Sequence, residues 1–332
     1  MKLVSYVPRD ADVGEGAVGA PGATGWRLGA LAGEAHVVPL RKAIEAQAGV
    51  AGEAFDSMLS LIRAGAAGLD AARGAVGFAQ AEEGAFLIPM ENVRLGPPLP
   101  DPVALRCCSV FRGHARNARR TIERWRTGAA PDNVVLSQAF ETIPGYYKGN
   151  HLNLIGPEDI ITFPRGGAQF DFELELAAIV GQAGIDVPRH EGLRHVFGYS
   201  IFNDASARHP QLEEMTLGTG PNKSKDFDGG NVLGPCLVTA DAFDARAATG
   251  IARVNGIEWG RGTAADMAHD WGAILEYRSR AERLHPGEII TSGCFTNCSG
   301  IELDRFIAPG DVVELEIPGI GILRNRVGLR AR

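Results

Sequence analysis

Short runs in which apolar and polar residues alternate, broken by Gly and Pro, make up most of this chain and predict a strand-rich fold. Residues 2–7, 26–32 and 36–40 read as strands. At 53–63, Phe55, Met58, Leu59 and Ile62 fall at helical spacing and predict a helix. The stretch Leu95-Gly-Pro-Pro-Leu-Pro-Asp-Pro holds four prolines in eight residues, and such a segment continues neither a helix nor an internal strand. It is expected to divide a small N-terminal domain, 1–95, from a larger one, 103–332, with 96–102 as a linker. Beyond it, Asn255-Gly256 marks a hairpin, and 306–327 reads as two strands joined around Pro318-Gly319. Residues 264–284 predict an amphipathic helix through Met267, Trp271, Ile274, Leu275 and Arg278, stopped by Pro286-Gly287. No internal repeat is visible, and a β-rich α+β architecture is expected.

One strand carries unusual chemistry. Residues 170–181 read Phe-Asp-Phe-Glu-Leu-Glu-Leu-Ala-Ala-Ile-Val-Gly, so Asp171, Glu173 and Glu175 alternate with Phe172, Leu174 and Leu176. In a strand the acids share one face and the apolar residues the other. Neighbours on one face sit roughly 6.6 Å apart, so three anions in a row repel unless solvent or a bound cation offsets them. A hard divalent metal would do so.

Composition narrows the class of protein. With 332 residues, 45% of them hydrophobic, the chain suffices for a sizeable core. A net charge of -7 and the lack of a long basic run argue against a nucleic-acid partner, because neutralising phosphates takes clustered Lys and Arg. The Arg-rich stretch 112–126 reads as a solvated helix face. No run approaches the roughly 20 apolar residues of a membrane span. The opening octapeptide lacks the apolar core of a signal peptide, so a cytoplasmic protein is expected. Cys107, Cys108, Cys236, Cys294 and Cys298 read as reduced thiols. The spacing of Cys294 and Cys298 is only weakly zinc-like, with no second pair and no His nearby.

Further candidates lie in three segments. Tyr199-Ser-Ile-Phe-Asn-Asp-Ala-Ser-Ala-Arg follows a short helix expected at 191–196, begins as an apolar strand and ends polar, projecting Asp204 and Arg208 at a strand end. Gly218-Thr-Gly-Pro-Asn-Lys-Ser-Lys-Asp-Phe places Lys223 and Lys225 in a Gly-rich loop suited to an anionic substrate. Only five lysines occur in an Arg-favouring chain, and Arg cannot replace Lys as a compact donor of adjustable pKa. Each signal taken alone has a plain reading: an Asn-Asp turn, a solvated lysine loop, a surface histidine at His114, an ordinary acid at Glu302.

Together the segments resemble the fumarylacetoacetate hydrolase family from about Ala104 to Val327. The acidic strand from Asp171, the run Gly198-Tyr-Ser-Ile-Phe-Asn-Asp-Ala-Ser-Ala-Arg and the closing Pro309-Gly-Asp-Val-Val-Glu-Leu-Glu-Ile match in order and spacing. The resemblance implies a mixed β-sandwich roll with a small N-terminal α/β domain, usually homodimeric, acting on 1,3-dicarbonyl or 2-oxo acids with Mg²⁺, Mn²⁺ or Ca²⁺. It also implies a role in breaking down aromatic or 2-oxo acids. By position, Glu173, Glu175 and Asp204 resemble the metal carboxylates, and Asp171 becomes a supporting or surface acid. His114 and Glu302 resemble the water-activating pair. Lys225, Lys223, Arg208, Gln211 and Tyr147 resemble groups that contact or activate the substrate. One departure is plain: where family members with four metal ligands carry an aspartate, seven residues before the histidine, this chain has Cys107, and a tyrosine expected two positions later is Ser109.

The reaction expected is hydrolysis of a carbon–carbon bond in an acylpyruvate-like or fumarylacetoacetate-like acid. The changes at Cys107 and Ser109 keep two enzymatic alternatives open on the same metal, isomerisation and decarboxylation of a 2-oxo acid. A noncatalytic dimeric scaffold is the third reading. Three retained carboxylates, the histidine and both loop lysines speak against it.

Overall fold

In the computed structural model, residues 1–9, 25–82, 84–163 and 169–329 are described. Among them, the strands form two large sheets and a two-stranded ribbon, Phe170–Asp171 with Ser206–Ala207. The larger follows the order Ile88–Pro89, His36–Pro39, Arg27–Ala32, Lys2–Pro8, Asn231–Thr239, Val196–Asp204, Glu173–Val180, Glu288–Ser299, Ala104–Cys108 and Tyr146–Gly149. The smaller follows Ile257–Thr263, Thr249–Val254, Val312–Ile317, Gly321–Leu329 and Ile160–Phe163. Antiparallel and parallel neighbours both occur, and the strand-rich mixed α/β architecture is the one expected.

The acidic strand sits near the middle of the larger sheet. Leu174, Leu176 and Ala178 pack into one core with Val313, Leu315 and Leu323 of the smaller sheet. Ala177 and Ile179, on the opposite face, join a second core with Leu61, Ile62 and Ile289. Period two puts Glu173 and Glu175 on that second face, beyond its apolar half. The same strand is therefore core at one end and functional at the other.

The N-terminal segment is hydrogen bonded into the same sheet, with Lys2 opposite Val238 and Leu3 opposite Leu237. The proline segment packs against it: Ser5 Oγ donates to the Pro98 carbonyl at 2.9 Å, and Leu99 is buried. The helix expected at 53–63 starts at Met58 from an N-cap at Ser57 and is broken at Gly65 (φ 61°, ψ -140°), beyond which a second helical stretch runs on to Ala81. The added part buries Gly68, Ala72, Ala75 and Ala79, whose small side chains give almost no hydrophobic contrast to read. A further helix, Leu40–Ala48, begins where a strand end was expected and stops at Gly49, φ 81°.

The Asn255-Gly256 hairpin forms as expected, both residues having positive φ (52° and 76°). Strands Val312–Ile317 and Gly321–Leu329 pair across Pro318-Gly319. The helix expected at 264–284 shortens to a turn, Ala264–Asp266, and a helix, Trp271–Ser279. The Asp270 carboxylate accepts the Ala273 N–H at 2.8 Å and fixes the later start. The short helix expected at 191–196 is a 3-10 segment, Arg189–His195. The Arg-rich stretch is a helix, Arg112–Thr127, whose one buried residue is Thr121.

Candidate metal centre

Two adjacent strands bring three acids together. Asp204 closes the strand Val196–Asp204, which pairs antiparallel with the acidic strand, Leu174 facing Asn203 and Glu175 facing Phe202. Glu173, Glu175 and Asp204 are buried, and their carboxylates offer oxygens within 4.8 Å of one another. On its other side the acidic strand pairs with Glu288–Ser299 through a wide bulge, Glu175 opposite Cys294 but Glu173 opposite Ser299. The extra residues leave the ladder, Asn297 at φ 66° among them. The helix Gly300–Leu303, with Glu302, then follows directly beside Glu173.

Two buried cations answer these acids. Lys225 Nζ lies 2.8 Å from Glu173 Oε2 and 2.8 Å from Asp204 Oδ2. Arg208 Nη2 lies 2.6 Å from Glu173 Oε1 and 2.7 Å from Asp171 Oδ2. Burial alone would raise Glu173, but Lys225, Arg208 and His114 hold it well below the ordinary carboxylate range. Glu175 has no such partner. Burial, then the charges of Asp204 and Glu173, push it well above that range. Asp204 is also raised, chiefly by burial, with Lys225 opposing.

Next to the acids stands a histidine–carboxylate pair. His114 Nδ1 lies 3.1 Å from Glu302 Oε2, and its Nε2 faces Glu173 Oε1 at 3.6 Å. Burial would lower the imidazole pKa, but the charge and hydrogen bond of Glu302, with Glu173 behind, raise it above its usual value. Glu302 is held in turn: Oε2 accepts from Ser299 Oγ at 2.9 Å, and Oε1 accepts from Asn297 N at 2.9 Å and Asn117 Nδ2 at 3.2 Å. Ser299 and Asn117 escaped the sequence reading. Both had signals, since Ser299-Gly-Ile-Glu302 has capping-box spacing and Asn117 sits three residues after His114 on one helix.

The remaining candidates separate. Tyr147 OH donates to Asp204 Oδ2 at 2.7 Å, and Arg208 Nη1 donates to Gln211 Oε1 at 3.0 Å, so both belong to the cluster. Lys223 does not reach it. Its side chain is 79% exposed and pairs with Asp226 at 3.4 Å, at the mouth of a polar cavity of about 310 Å³ that Tyr147 and Lys225 also line. Cys107 is buried and faces Tyr147 across two strands. Burial, followed by the charges of Asp204 and Glu175, drives its thiol well above the usual range, which favours the neutral form over a thiolate. Ser109, two positions later, is exposed. Asp171 is no surface acid: it is fully buried.

The donor set fits a hard divalent cation. It is all oxygen, buried and anionic, and Asp204 Oδ1 is buried without any hydrogen-bond partner. Lys225, Arg208 and His114 answer Asp171, Glu173 and Asp204, whereas Glu175 has no cation beside it, a place that a bound cation would fill. The Lys225 ammonium already places one positive charge between Glu173 and Asp204.

The fold and this site define a class, proteins built around a carboxylate centre for a hard cation with a His–Glu pair beside it. The sequence matches the family description "Fumarylacetoacetate (FAA) hydrolase C-terminal" over residues 110–328, and the chain belongs to the fumarylacetoacetate hydrolase family. It is 28% identical over 252 residues to the oxaloacetate tautomerase YisK of Bacillus subtilis, covering 74% of this chain and 77% of that one. A mitochondrial oxaloacetate tautomerase of Xenopus laevis is 32% identical over 180 residues, 53% of this chain and 55% of its own length. Among solved structures, the fumarylacetoacetate hydrolase of Exiguobacterium antarcticum aligns over 99% of this chain and 100% of its own, at 27% identity and TM-score 0.71. The maleylpyruvate hydrolase of Sphingobium sp. SYK-6, in complex with manganese(II) and pyruvate, covers 100% of both chains with TM-score 0.70; at 23% identity it speaks for the fold alone. The family includes hydrolases, isomerases and tautomerases. Among the described residues, no helix is long and apolar enough to cross a membrane.

Proposed function

We propose that this protein is a divalent-metal-dependent enzyme that hydrolyses a carbon–carbon bond in a 1,3-dicarbonyl acid, with His114 as general base. The observation that carries this reading is the orientation of His114. Its Nδ1 is fixed by Glu302 at 3.1 Å, and its Nε2 points to the carboxylate cluster. That is the arrangement a base needs to take a proton beside the substrate and hold the resulting charge. A hard cation held by Glu173, Glu175 and Asp204 would supply Lewis acidity toward the enolised dicarbonyl. Nε2 of His114 takes a proton from water as the hydroxyl adds to a carbonyl carbon, and Glu302 stabilises the imidazolium. When the carbon–carbon bond breaks, its electron pair goes to the departing carbon, which recovers the proton from Nε2. Two acids result. Lys225 and Arg208 offset charge around the carboxylates, and Gln211 and Tyr147 orient Arg208 and Asp204. Lys223, at the mouth of the polar cavity, is assigned the approach of an anionic substrate.

Cys107 favours a second reading. A neutral thiol in place of a fourth carboxylate, together with tautomerase relatives, supports keto–enol interconversion, in which His114 takes its proton from carbon instead of water and a proton is returned to the carbonyl oxygen to give the enol. The metal-loaded protein should be given an acylpyruvate and oxaloacetate, with products followed by mass spectrometry and enol absorbance. Two acid fragments support hydrolysis. Faster interconversion without fragments selects tautomerisation, and CO₂ loss selects decarboxylation. Absence of metal binding, by calorimetry of wild type beside Glu173→Gln, would overturn every enzymatic reading and leave the scaffold. The homodimer implied by the family is checked by light scattering.

A further inference from the structure

Asp171 stands two positions before the first residue of the acidic strand proper, Glu173, and its carboxylate accepts from three separate segments. Oδ1 accepts the Gly300 N–H at 2.6 Å and that of Phe172 at 2.8 Å. Oδ2 accepts the Ile301 N–H at 2.8 Å and Arg208 Nε at 2.8 Å. Gly300 and Ile301 open the four-residue helix that carries Glu302. Arg208 opens the helix Arg208–Met215 and uses its other nitrogens on Glu173 and Gln211. Residues Phe170–Asp171 are themselves fixed by pairing with Ser206–Ala207. The contact leaves no slack: a Cβ built on Gly300 would stand 2.5 Å from Asp171 Oδ1 and collide with the Arg305 carbonyl.

We propose that Asp171 is a positioning residue: it ties the Glu302 helix and the Arg208 guanidinium to the strand of Glu173 and Glu175, and so fixes where the His114–Glu302 pair stands relative to the metal carboxylates. The first N–H groups of a helix have no partner within it, and a helix of one turn has too few internal bonds to hold its own place. Asp171 supplies the partner from the strand that bears the ligands. The spacing of Glu302 from Glu173 therefore depends on a side chain that touches neither substrate nor metal.

Hydrogen exchange by NMR tests the mechanical claim without reference to any reaction. In the Mg²⁺-loaded wild type, the Gly300 and Ile301 amides should be protected by at least about a thousandfold, as in core strands rather than frayed helix ends. In Asp171→Asn both should exchange at least about tenfold faster, while the amides of 174–179 and 289–293 stay within about twofold. Fast exchange in the wild type, or no local acceleration in a folded variant, overturns the proposal. The wild-type measurement decides even if the variant fails to fold. The kinetic arm rests on the proposed enzymatic reading. Asp171→Asn should lower kcat about 10–100-fold with Mn²⁺ affinity within about threefold of wild type, and in a Glu302→Gln background it should add less than about threefold. Independent, multiplying losses would overturn action through Glu302. Protected amides with no turnover of any 2-oxo acid would sink the reaction and leave the positioning role standing.

Discussion

Replacing Lys225 with methionine keeps the length and apolar stem of the side chain and removes only the ammonium. In the metal-free protein that ammonium contacts Glu173 and Asp204 at 2.8 Å each, in a site where all three side chains are at most 8% exposed. At an effective dielectric of 20, each contact is worth roughly 6 kcal/mol before desolvation. Desolvation of the ammonium offsets much of that, and loss of one partner of a buried pair typically costs about 3–5 kcal/mol. A chain of 332 residues unfolds with an entropy of about 0.7 kcal/mol/K, so Lys225→Met should melt about 4–7 °C below wild type in EDTA. Metal should reverse the order of sensitivity. At a hundred times its Kd a cation stabilises by about 2.7 kcal/mol, a rise of about 4 °C for wild type. The variant should rise further, because its carboxylates lack a competing cation. Differential scanning calorimetry with EDTA and with saturating Mg²⁺ measures both. Melting within about 1 °C of wild type in EDTA, or equal metal-induced rises, would refute the view that Lys225 occupies the place of positive charge.

Three further outcomes are expected. Glu175 is raised by burial and by its acidic neighbours, so it holds a proton in the metal-free protein that a cation must displace; metal affinity should rise with pH up to its raised pKa, and calorimetry in buffers of different ionisation enthalpy should register proton release. By the same sign, its contribution to metal-free stability is present below the ordinary carboxylate range and is lost as pH rises through the raised value, a loss that added Mg²⁺ should prevent. Glu302→Gln removes the charge that raises His114, so the acid limb of the kcat/KM profile should move to lower pH while kcat falls about 10²–10⁴-fold; an unmoved limb would detach His114 from catalysis. Cys107→Asp adds a carboxylate beside Asp204 and Glu175, and should tighten Mn²⁺ binding by about tenfold or more while lowering the EDTA melting temperature; unchanged affinity would place position 107 outside the cation's reach.

How far the site can be read from sequence follows from how each part is held. The acidic face of the strand is legible because period two fixes which side chains share a face, whereas the choice of Glu173 and Glu175 together with Asp204 comes from the family resemblance; two adjacent antiparallel strands bring the three together. The helical stretch that follows the break at Gly65 and runs to Ala81 is invisible in the sequence because it buries alanines and glycine. The exposure of Lys223 is set by a loop that period two does not describe, since Lys225 turns inward to two acids while Lys223 pairs with Asp226.

Asp171 is the instructive case, because alternation gave it the same status as Glu173 and Glu175. The chain leaves strand pairing between them: Phe170–Asp171 pairs with Ser206–Ala207, and Glu173–Val180 pairs with Val196–Asp204 and Glu288–Ser299. That break at Phe172 turns one carboxylate toward backbone N–H groups as well as Arg208, and leaves two facing the candidate cation site. Three acids spaced as equals thus take two tasks, and the difference lies in which partner strand each one meets, a property of long-range register that no local pattern encodes.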